Sequence, residues 1–431
     1  PGFAAGSTYE AKLDKSDTDF SPTNTNWSPD HVQRMPDGEW RRAWPRNYAL
    51  KPAKAVEMDE YYARRIKDKY GIRMSYTDVH TAVAPWRYCD FDARVPGAGA
   101  FAATFYAYGQ LLLNDQRVYG PTQSEATYQW MYAGLESGSY GWVYTNVNLL
   151  THPLDVAFKL TKIHPLQCDY GMGYTHYYLE RLDPKWKASP KRRDYVDLFL
   201  ATTIGYGNMG WLVTDWGIDE PFGIETMARS YYMMQQLQQQ YAFVPPRTIE
   251  YADRGGKLFP PSLAHAAGVI ADSRLHVEYE NGTHVYVNRG KEGNWSVRAV
   301  ELPTSGWLAF NSDNSLYEFS ANVNGRRIDY VRAPEYEFLD GRGQWTEHGS
   351  LGASGSVARR NRGGVTELID IYGNDRIAFE AKADGVLNVY DPEGKNLGTV
   401  ETVSPRAGWL EFKPVTGARS YVFAPAAAQL Q

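Results

Sequence analysis

The spacing of apolar residues changes once along this chain of 431 residues. Before about residue 245, apolar residues recur every three to four positions, which indicates amphipathic helices, and short apolar runs between them indicate buried strands. One helix is predicted from Pro52, a residue favoured in a first turn, to a stop at Gly71. A second helix is predicted from the apolar spacing between Phe101 and Leu112. Alternating strands and helices predict a parallel β/α arrangement.

Beyond about residue 260, apolar residues alternate with polar ones, which is the period of a half-buried strand. The pair Asn281-Gly282 lies between two such runs and predicts a tight hairpin turn. About ten further short runs follow, separated by Gly and Asn turns, and they predict one or two antiparallel β-sandwich units. The pair Pro245-Pro246 separates the two patterns. We therefore predict a barrel region at residues 1–245 and a β-sandwich region at residues 246–431.

The predicted fold class is α/β plus all-β, a (β/α)8 barrel of the TIM type followed by an antiparallel β-sandwich. A barrel of this type closes with eight strands, of which residues 1–245 supply about five or six. We expect a preceding N-terminal segment or a second chain to supply the first strands. On this prediction the chain is the C-terminal part of a longer enzyme.

Composition narrows the classes of partner. The net charge of −5 supplies no basic surface for nucleic acid, and no apolar run is long enough to span a membrane. Three Asn-x-Ser/Thr sequons, at Asn26, Asn281 and Asn294, indicate a secreted or periplasmic protein. The GxGxxG motif at residues 205–210 follows a predicted helix instead of a strand, so it does not indicate a dinucleotide, and we predict no cofactor.

Aromatic residues are abundant, with 32 Tyr, 13 Trp and 16 Phe. Aromatic rings pack against the C–H faces of sugars, and Tyr and Trp add a polar group. The other interpretation is an ordinary well-packed core. Sugar binding gains support because many of these residues lie beside polar residues and glycines in predicted loops: Trp86, Tyr88, Tyr128, Trp130, Tyr140, Trp142, Tyr170, Tyr174 and Trp216.

Two carboxylates end two of the predicted strands, Asp78 in the run YTD and Glu125 in the run TQSE. The C-terminal ends of parallel barrel strands share one edge, so residues distant in sequence can meet there. Asp78 could act as a nucleophile if Arg87, Arg94 or His80 keeps it ionised. The other interpretation is an Asp that caps the following loop.

Glu125 could act as a general acid, because its aromatic neighbours Tyr119, Tyr128 and Trp130 would raise its pKa by desolvation. The other interpretation is a Glu at the N-terminus of a helix. Two carboxyl groups about 5–5.5 Å apart would indicate a retaining glycosidase, and about 6.5–9.5 Å an inverting one. Asp169 is a further candidate at the same edge.

The loop after Asp78 holds further candidates. Asp90 and Asp92 could grip sugar hydroxyls, or join Asp78 and His80 in a site for a hard metal ion. The other interpretation of Asp92 is a salt bridge to Arg94. We predict no bound metal, and the predicted substrate-binding residues are His80, Trp86, Arg87, Asp90, Asp92, Arg94, Tyr128, Trp130, Asp215 and Trp216.

Several stretches resemble the α-retaining glycoside hydrolase superfamily that includes α-galactosidases and endo-α-N-acetylgalactosaminidases, and within it secreted bacterial proteins with a domain of unknown function. They are YTDVHT, PWRYCDFDAR, YGPTQSEATYQWMYAG, ATTIGYGNMG, VEYENGTHVYVNR and LPTSGWLAF. The resemblance implies a barrel followed by a β-sandwich, with Asp78 as nucleophile and Glu125 as acid/base. The family often has Gly after the acid, where this chain has Ala126. The stretch of sequence between Asp78 and Glu125 is also longer than in the best-known members of the superfamily, which implies an inserted loop.

The leading hypothesis is a retaining α-glycosidase that acts on a galactose- or N-acetylgalactosamine-type oligo- or polysaccharide. Two alternatives stay open. One is a non-catalytic carbohydrate-binding protein on a glycosidase scaffold. The other is a metal-dependent hydrolase that uses Asp78, His80 and Asp90.

Overall fold

The computed structural model describes residues 21–24, 26–43, 47–125, 128–132, 134–140, 157, 168–169, 192–207, 222–290, 292–381 and 384–425. The chain divides into two compact units. The first consists of Pro1–Asn146 and Thr161–Gly173, and the second of Val147–Leu160 and Tyr174–Gln431.

In its described part, the first unit contains two long helices, α1 at Pro52–Tyr70 and α2 at Phe101–Tyr119. Pro52 begins α1, and Gly71 ends it in a left-handed conformation with φ 66°. Both predicted helices are confirmed. They share a small apolar core in which Val56 of α1 and Leu111 of α2 are buried together.

Among the described residues, the first unit has four strands, β1 at Ser75–Thr77, β2 at Thr122–Glu125, β3 at Gly138–Tyr140 and β4 at Cys168–Asp169. They form one parallel sheet in the order β1-β2-β3-β4. Helix α2 forms the crossover from β1 to β2, because the chain must return to the same end of the sheet before it can start a parallel neighbour. Short 3-10 helices are present at Pro29–His31, Pro85–Arg87 and Gln129–Tyr132.

The predicted parallel pairing is confirmed for these four strands, and the predicted strand–helix–strand order for β1, α2 and β2. The eight-stranded barrel expected from the sequence is not seen in the described part of the chain. Within that part β1 and β4 are edge strands, whereas a closed barrel has no edges.

The second unit contains α3 at Arg192–Gly205, α4 at Phe222–Tyr241, α5 at Pro261–Ala266 and a 3-10 helix at Val269–Asp272. Helices α3 and α4 precede residue 245, where the barrel region was predicted to end; that division stays a prediction. Gly205 ends α3 close to the sheet, since an added Cβ would lie 3.3 Å from Val287.

Where the structure describes the second unit, its strands are antiparallel and form a sheet of 15 strands and another of five. They are β5 Pro246–Ala252, β6 Leu258–Phe259, β7 Arg274–Tyr279, β8 Thr283–Asn288, β9 Trp295–Val297, β10 Val300–Leu302, β11 Gly306–Asn311, β12 Tyr317–Val323, β13 Arg326–Arg332, β14 Glu337–Asp340, β15 Thr346–His348, β16 Leu351–Ala353, β17 Ser356–Arg362, β18 Val365–Tyr372, β19 Ile377–Glu380, β20 Gly385–Tyr390, β21 Asn396–Val400, β22 Val403–Arg406, β23 Trp409–Phe412 and β24 Ser420–Pro425.

Side chains from both sheets fill one apolar core, as the predicted β-sandwich requires. Phe379 of the smaller sheet, for example, packs edge-on against Phe423 of the larger one, with ring centroids 5.5 Å apart. The predicted hairpin is also confirmed: β7 and β8 pair across Asn281-Gly282, with Gly282 at φ 80°. No helix among the described residues has the length and apolarity needed to cross a membrane.

Candidate functional site

The register of the parallel sheet brings the two predicted catalytic residues to neighbouring positions. Thr77 of β1 pairs with Ser124 of β2. Asp78 directly follows Thr77, and Glu125 directly follows Ser124. Both carboxylate residues therefore lie at the C-terminal ends of neighbouring strands. Glu125 itself pairs with Tyr140 of β3. The two carboxylate residues therefore follow directly after a pair of backbone positions separated by one strand spacing, which is about 4.8 Å.

Small hydroxyl residues hold these strand ends together. The Ser124 hydroxyl donates to the Thr77 carbonyl at 2.7 Å, and the Thr81 hydroxyl donates to the Ser124 hydroxyl at 2.9 Å. Hydroxyl groups need such partners when they are buried. The hydroxyl cluster, whose members are all fully buried, consists of Ser75, Thr77, Thr81, Thr122 and Ser124.

Asp78 is oriented by the residues on either side of it. The Tyr76 hydroxyl donates to Asp78 Oδ1 at 3.2 Å. Val79 has φ 67°, a left-handed conformation that is strained for a β-branched residue. Such strain is found mainly at functional sites and persists only where the surroundings enforce it. Asp78 thus follows the strand at a constrained turn, with one carboxylate oxygen already bonded.

His80 contributes to this turn from a buried position. Its backbone N–H and its Nδ1 both donate to the Asp78 carbonyl, at 2.8 and 2.7 Å. The imidazole ring lies edge-on against Tyr108 with centroids 4.8 Å apart. His80 therefore holds the Asp78 backbone, and the Nδ1 bond goes to the carbonyl instead of the carboxylate that it was expected to stabilise.

The structure brings together two of the aromatic residues predicted to bind sugar. Trp86 lies in the 3-10 helix Pro85–Arg87 and is 51% exposed. Its ring contacts Tyr128 edge to face, with centroids 5.5 Å apart. The Tyr128 N–H donates to the Thr81 carbonyl at 2.7 Å, which ties this pair to the hydroxyl cluster. Arg87, beside Trp86, is also exposed.

Asp92 is engaged within the protein. Lys51, at the N-terminus of α1, lies 2.5 Å from its carboxylate, and Arg94 donates to it from Nε and a terminal nitrogen at 2.7–3.2 Å. Hydrogen bonds from Arg94 and Lys51 hold the pKa of Asp92 well below its usual range. Arg94 also pairs with Asp30 at 2.9 Å. The interpretation of Asp92 and Arg94 as a loop salt bridge is confirmed, and their role in sugar binding stays a prediction.

Asp90 is also buried, and it fastens the same loop to an earlier segment. Its Oδ1 accepts the N–H of Arg34 at 2.8 Å and that of Asp92 at 3.3 Å. Phe91 N–H in turn donates to the Arg34 carbonyl at 2.9 Å. Asp90 and Asp92 thus fix the course of the loop after Asp78.

The remaining predicted residues are placed only in part. Asp169 pairs with Ser139 of β3, so it lies in the same row of the sheet as Thr77 and Ser124. Asp215 and Trp216 lie outside the described residues, as do the side chains of Glu125 and Trp130.

The metal-site alternative finds no support in the arrangement. Among the described residues, no group of three or more His, Cys, Asp or Glu side chains could hold a metal ion. These residues include Asp78, His80 and Asp90. The nearby Cys89 is a free, buried thiol, and burial raises its pKa.

Sequence reasoning missed Tyr76, Val79 and the hydroxyl cluster. A usable signal existed for Tyr76, because residues two apart on a strand share a face and Asp78 is two positions further on. The Val79 conformation left no signal, since a valine predicts ordinary extended backbone.

Comparisons with known proteins identify no family: no family model matches the chain, and neither does any curated protein. Among solved structures, an α-N-acetylgalactosaminidase, NagBb from Bifidobacterium bifidum, is 13% identical with a TM-score of 0.38, over 63% of this chain and 39% of that one. A gamma-CGTase from Alkalophilic bacillus clarkii is 12% identical with a TM-score of 0.28, over 94% of this chain and 57% of that one. The chain thus spans less than two thirds of either structure, and likenesses this distant carry no argument about this protein.

Proposed function

We propose that the first unit carries the catalytic pair of a retaining α-glycosidase, with Asp78 as nucleophile and Glu125 as acid/base. The observation that carries the proposal is the pairing of Thr77 with Ser124, because Asp78 and Glu125 directly follow these two residues at the ends of β1 and β2. Backbones one strand spacing apart, about 4.8 Å, allow the two side chains to bring their carboxyl groups to the separation of about 5–5.5 Å that double displacement requires.

In this mechanism Asp78 attacks the anomeric carbon while Glu125 protonates the departing glycosidic oxygen. Water then attacks the glycosyl ester, with Glu125 removing its proton. The Tyr76 hydroxyl supports the first step, because a donor to Oδ1 favours the ionised carboxylate and limits its rotation. The strained turn at Val79 supports it by fixing where the side chain begins.

The aromatic pair Trp86 and Tyr128 supports a carbohydrate substrate. A half-exposed Trp face that an edge-on neighbour holds in place can stack on a pyranose ring. The galactose or N-acetylgalactosamine type of the sugar, and a secreted or periplasmic location, come from the sequence motifs and sequons described above.

The proposal is tested with Asp78→Ala, Glu125→Gln and the control Asp68→Asn, which alters an exposed carboxylate on α1. Hydrolysis of aryl α-galactosides and aryl α-N-acetylgalactosaminides is measured. Each site variant should lose about 10³-fold or more in turnover, and the control should lose nothing. Azide should restore turnover of Asp78→Ala by replacing the nucleophile, giving a glycosyl azide of inverted configuration. NMR of the wild-type reaction should show the α-anomer first.

Near-wild-type turnover in either site variant would contradict the assignment. A second candidate, a carbohydrate-binding protein without catalysis, is favoured by the exposed Trp86 alone, because it needs neither carboxylate. It would be established by a wild-type protein that cleaves no glycoside but binds a glycan that Trp86→Ala fails to bind.

A further inference from the structure

A cavity of about 300 Å³ lies in the β-sandwich unit, between the start of β13 and the segment joining β14 to β15. Its volume suits a small ligand or one group of a larger one. Three of the residues around it carry guanidinium groups. Its lining includes Arg326, Arg327, Gly341, Arg342, Gln344 and Thr346.

Two of these arginines belong to a buried ionic network. Arg342 donates to both oxygens of Asp197 at 2.9 Å and to Asp329 at 2.9 Å, and Arg327 pairs with Asp197 at 3.0 Å. The carboxylates are almost completely buried, at 1% and 0% exposure, whereas the side chains of Arg327 and Arg342 are 18% and 15% exposed. The guanidinium groups of the network are therefore partly exposed at the cavity, whereas its carboxylates are buried in the protein.

The ionic network extends beyond the cavity lining. Arg229 bridges Asp197 and Asp329, at 2.5 and 2.7 Å, and Asp340 accepts the N–H of Arg342 and the hydroxyl of Ser356. Burial and the charge of Asp329 raise the pKa of Asp340. These three carboxylates lie outside the cavity lining, which contains three arginines and no carboxylate. The lining is therefore positively charged.

The backbone at Arg342 has an unusual conformation. Its φ is 53°, in the left-handed region that residues other than glycine rarely adopt. The preceding Gly341 has no room for a side chain, since an added Cβ would lie 2.4 Å from the Gln344 carbonyl. Such a conformation persists where surrounding contacts enforce it, and here five hydrogen bonds from the guanidinium do so.

Three polar side chains of the cavity remain available for a ligand. Within the described part of the chain, Arg326, Gln344 and Thr346 make no side-chain hydrogen bond or ion pair. Arg326 adds a further positive charge from an exposed position at the end of β13. Arg326 pairs with neither Asp197 nor Asp329, so neutralising these carboxylates does not account for its presence at the cavity.

We propose that this cavity is a binding site for an oxyanion, a carboxylate, sulfate or phosphate group, held by Arg326 together with Gln344 and Thr346 over the exposed sides of Arg327 and Arg342. A guanidinium binds such groups through paired N–H donors, and partial burial strengthens the interaction. The source is either a free inorganic anion or the acidic group of a sugar. This site is independent of the proposed catalytic pair.

The test is isothermal titration of the whole chain with sodium sulfate, sodium phosphate and sodium glucuronate, with glucose and sodium chloride as controls at matched ionic strength. We expect a Kd on the order of 1 mM or tighter for at least one oxyanion, and no binding of glucose. Binding of sulfate or phosphate alone identifies an inorganic anion, and binding of glucuronate identifies an acidic sugar. Either result supports the site.

Two arginines at opposite ends of β13 provide a matched pair of variants. Arg326→Ala should weaken binding about tenfold, as expected for the loss of a charged hydrogen bond. Arg332→Ala removes another exposed charge, outside the cavity lining, and should leave Kd unchanged. Both are surface changes, and matching thermal melts would show intact folding. Absence of oxyanion binding, or equal weakening by both variants, would overturn the proposal.

Discussion

Replacing Arg229 with Met should destabilise the β-sandwich unit more than any surface change. Arg229 lies on α4 and is 2% exposed. Its guanidinium bridges Asp197 of α3, at 2.5 Å, and Asp329 of β13, at 2.7 Å. Burial alone would raise the pKa of Asp329, but the charges of Arg229 and Arg342 lower it to about 2. Arg229→Met therefore removes one of the cations that keep both buried carboxylates ionised.

The magnitude follows from what remains after the substitution. Removing one partner of a buried ion pair costs about 3–5 kcal/mol, because a charge is left uncompensated. Here Asp197 keeps Arg327 and Arg342, and Asp329 keeps Arg342. Arg229→Met is therefore expected to lower the free energy of unfolding by about 3 kcal/mol, the lower end of this range. This is a large part of a typical total stability of about 5–15 kcal/mol.

Urea unfolding followed by tryptophan fluorescence measures this loss, because Trp307 is buried in the sheet of the same unit. Arg332→Met, an exposed arginine at the far end of β13, serves as the control and should change stability by less than about 0.5 kcal/mol. Arg229→Lys should recover only part of the loss, since an ammonium cannot span both carboxylates as a planar fork does. A loss below about 1 kcal/mol in Arg229→Met would refute the reasoning.

Three further predictions concern the first unit. Asp92→Asn should destabilise the protein at neutral pH. Because the folded-state pKa of Asp92 is depressed, its contribution is complete above the unfolded-state pKa of about 4 and declines as pH falls from there toward the folded-state pKa. Urea unfolding should therefore show a smaller difference in stability between the two proteins at about pH 3 than at about pH 7, and an undiminished difference would contradict this. Tyr76→Phe removes a donor to Asp78 and should move the acidic limb of the kcat/KM profile to higher pH; an unmoved limb would separate Tyr76 from the nucleophile. Trp86→Ala should raise KM about tenfold or more while kcat holds, if its face binds sugar; a change in kcat alone would argue otherwise.

Local patterns were sufficient wherever one element's own residues decide its structure. Pro52 and Gly71 bound α1 as predicted, because they act through backbone geometry within a single turn. Asn281-Gly282 likewise specified its hairpin.

The roles of Asp90 and Asp92 could not be read in the same way. Because Asp90 and Asp92 are two positions apart, an extended segment would place both carboxylates on the same face. This spacing does not show which residues pack against that face. Their partners Arg34 and Lys51 lie 56 and 41 residues earlier in the chain, and only folding brings them within hydrogen-bond distance. A polar, charged loop that suits a sugar site is equally suited to fastening itself to the protein.

The sequence alone determined the order of strands and helices in the first unit, the β-sandwich and the position of a carboxylate at two strand ends, because periodicity and turn chemistry act over a few residues. Tertiary structure decided that Thr77 meets Ser124, which sets Asp78 beside Glu125. It also assembled Arg229, Asp197 and Asp329 from two helices and a strand. Strand register and buried ion pairs depend on residues far apart in the chain, and no local pattern encodes the distances between them.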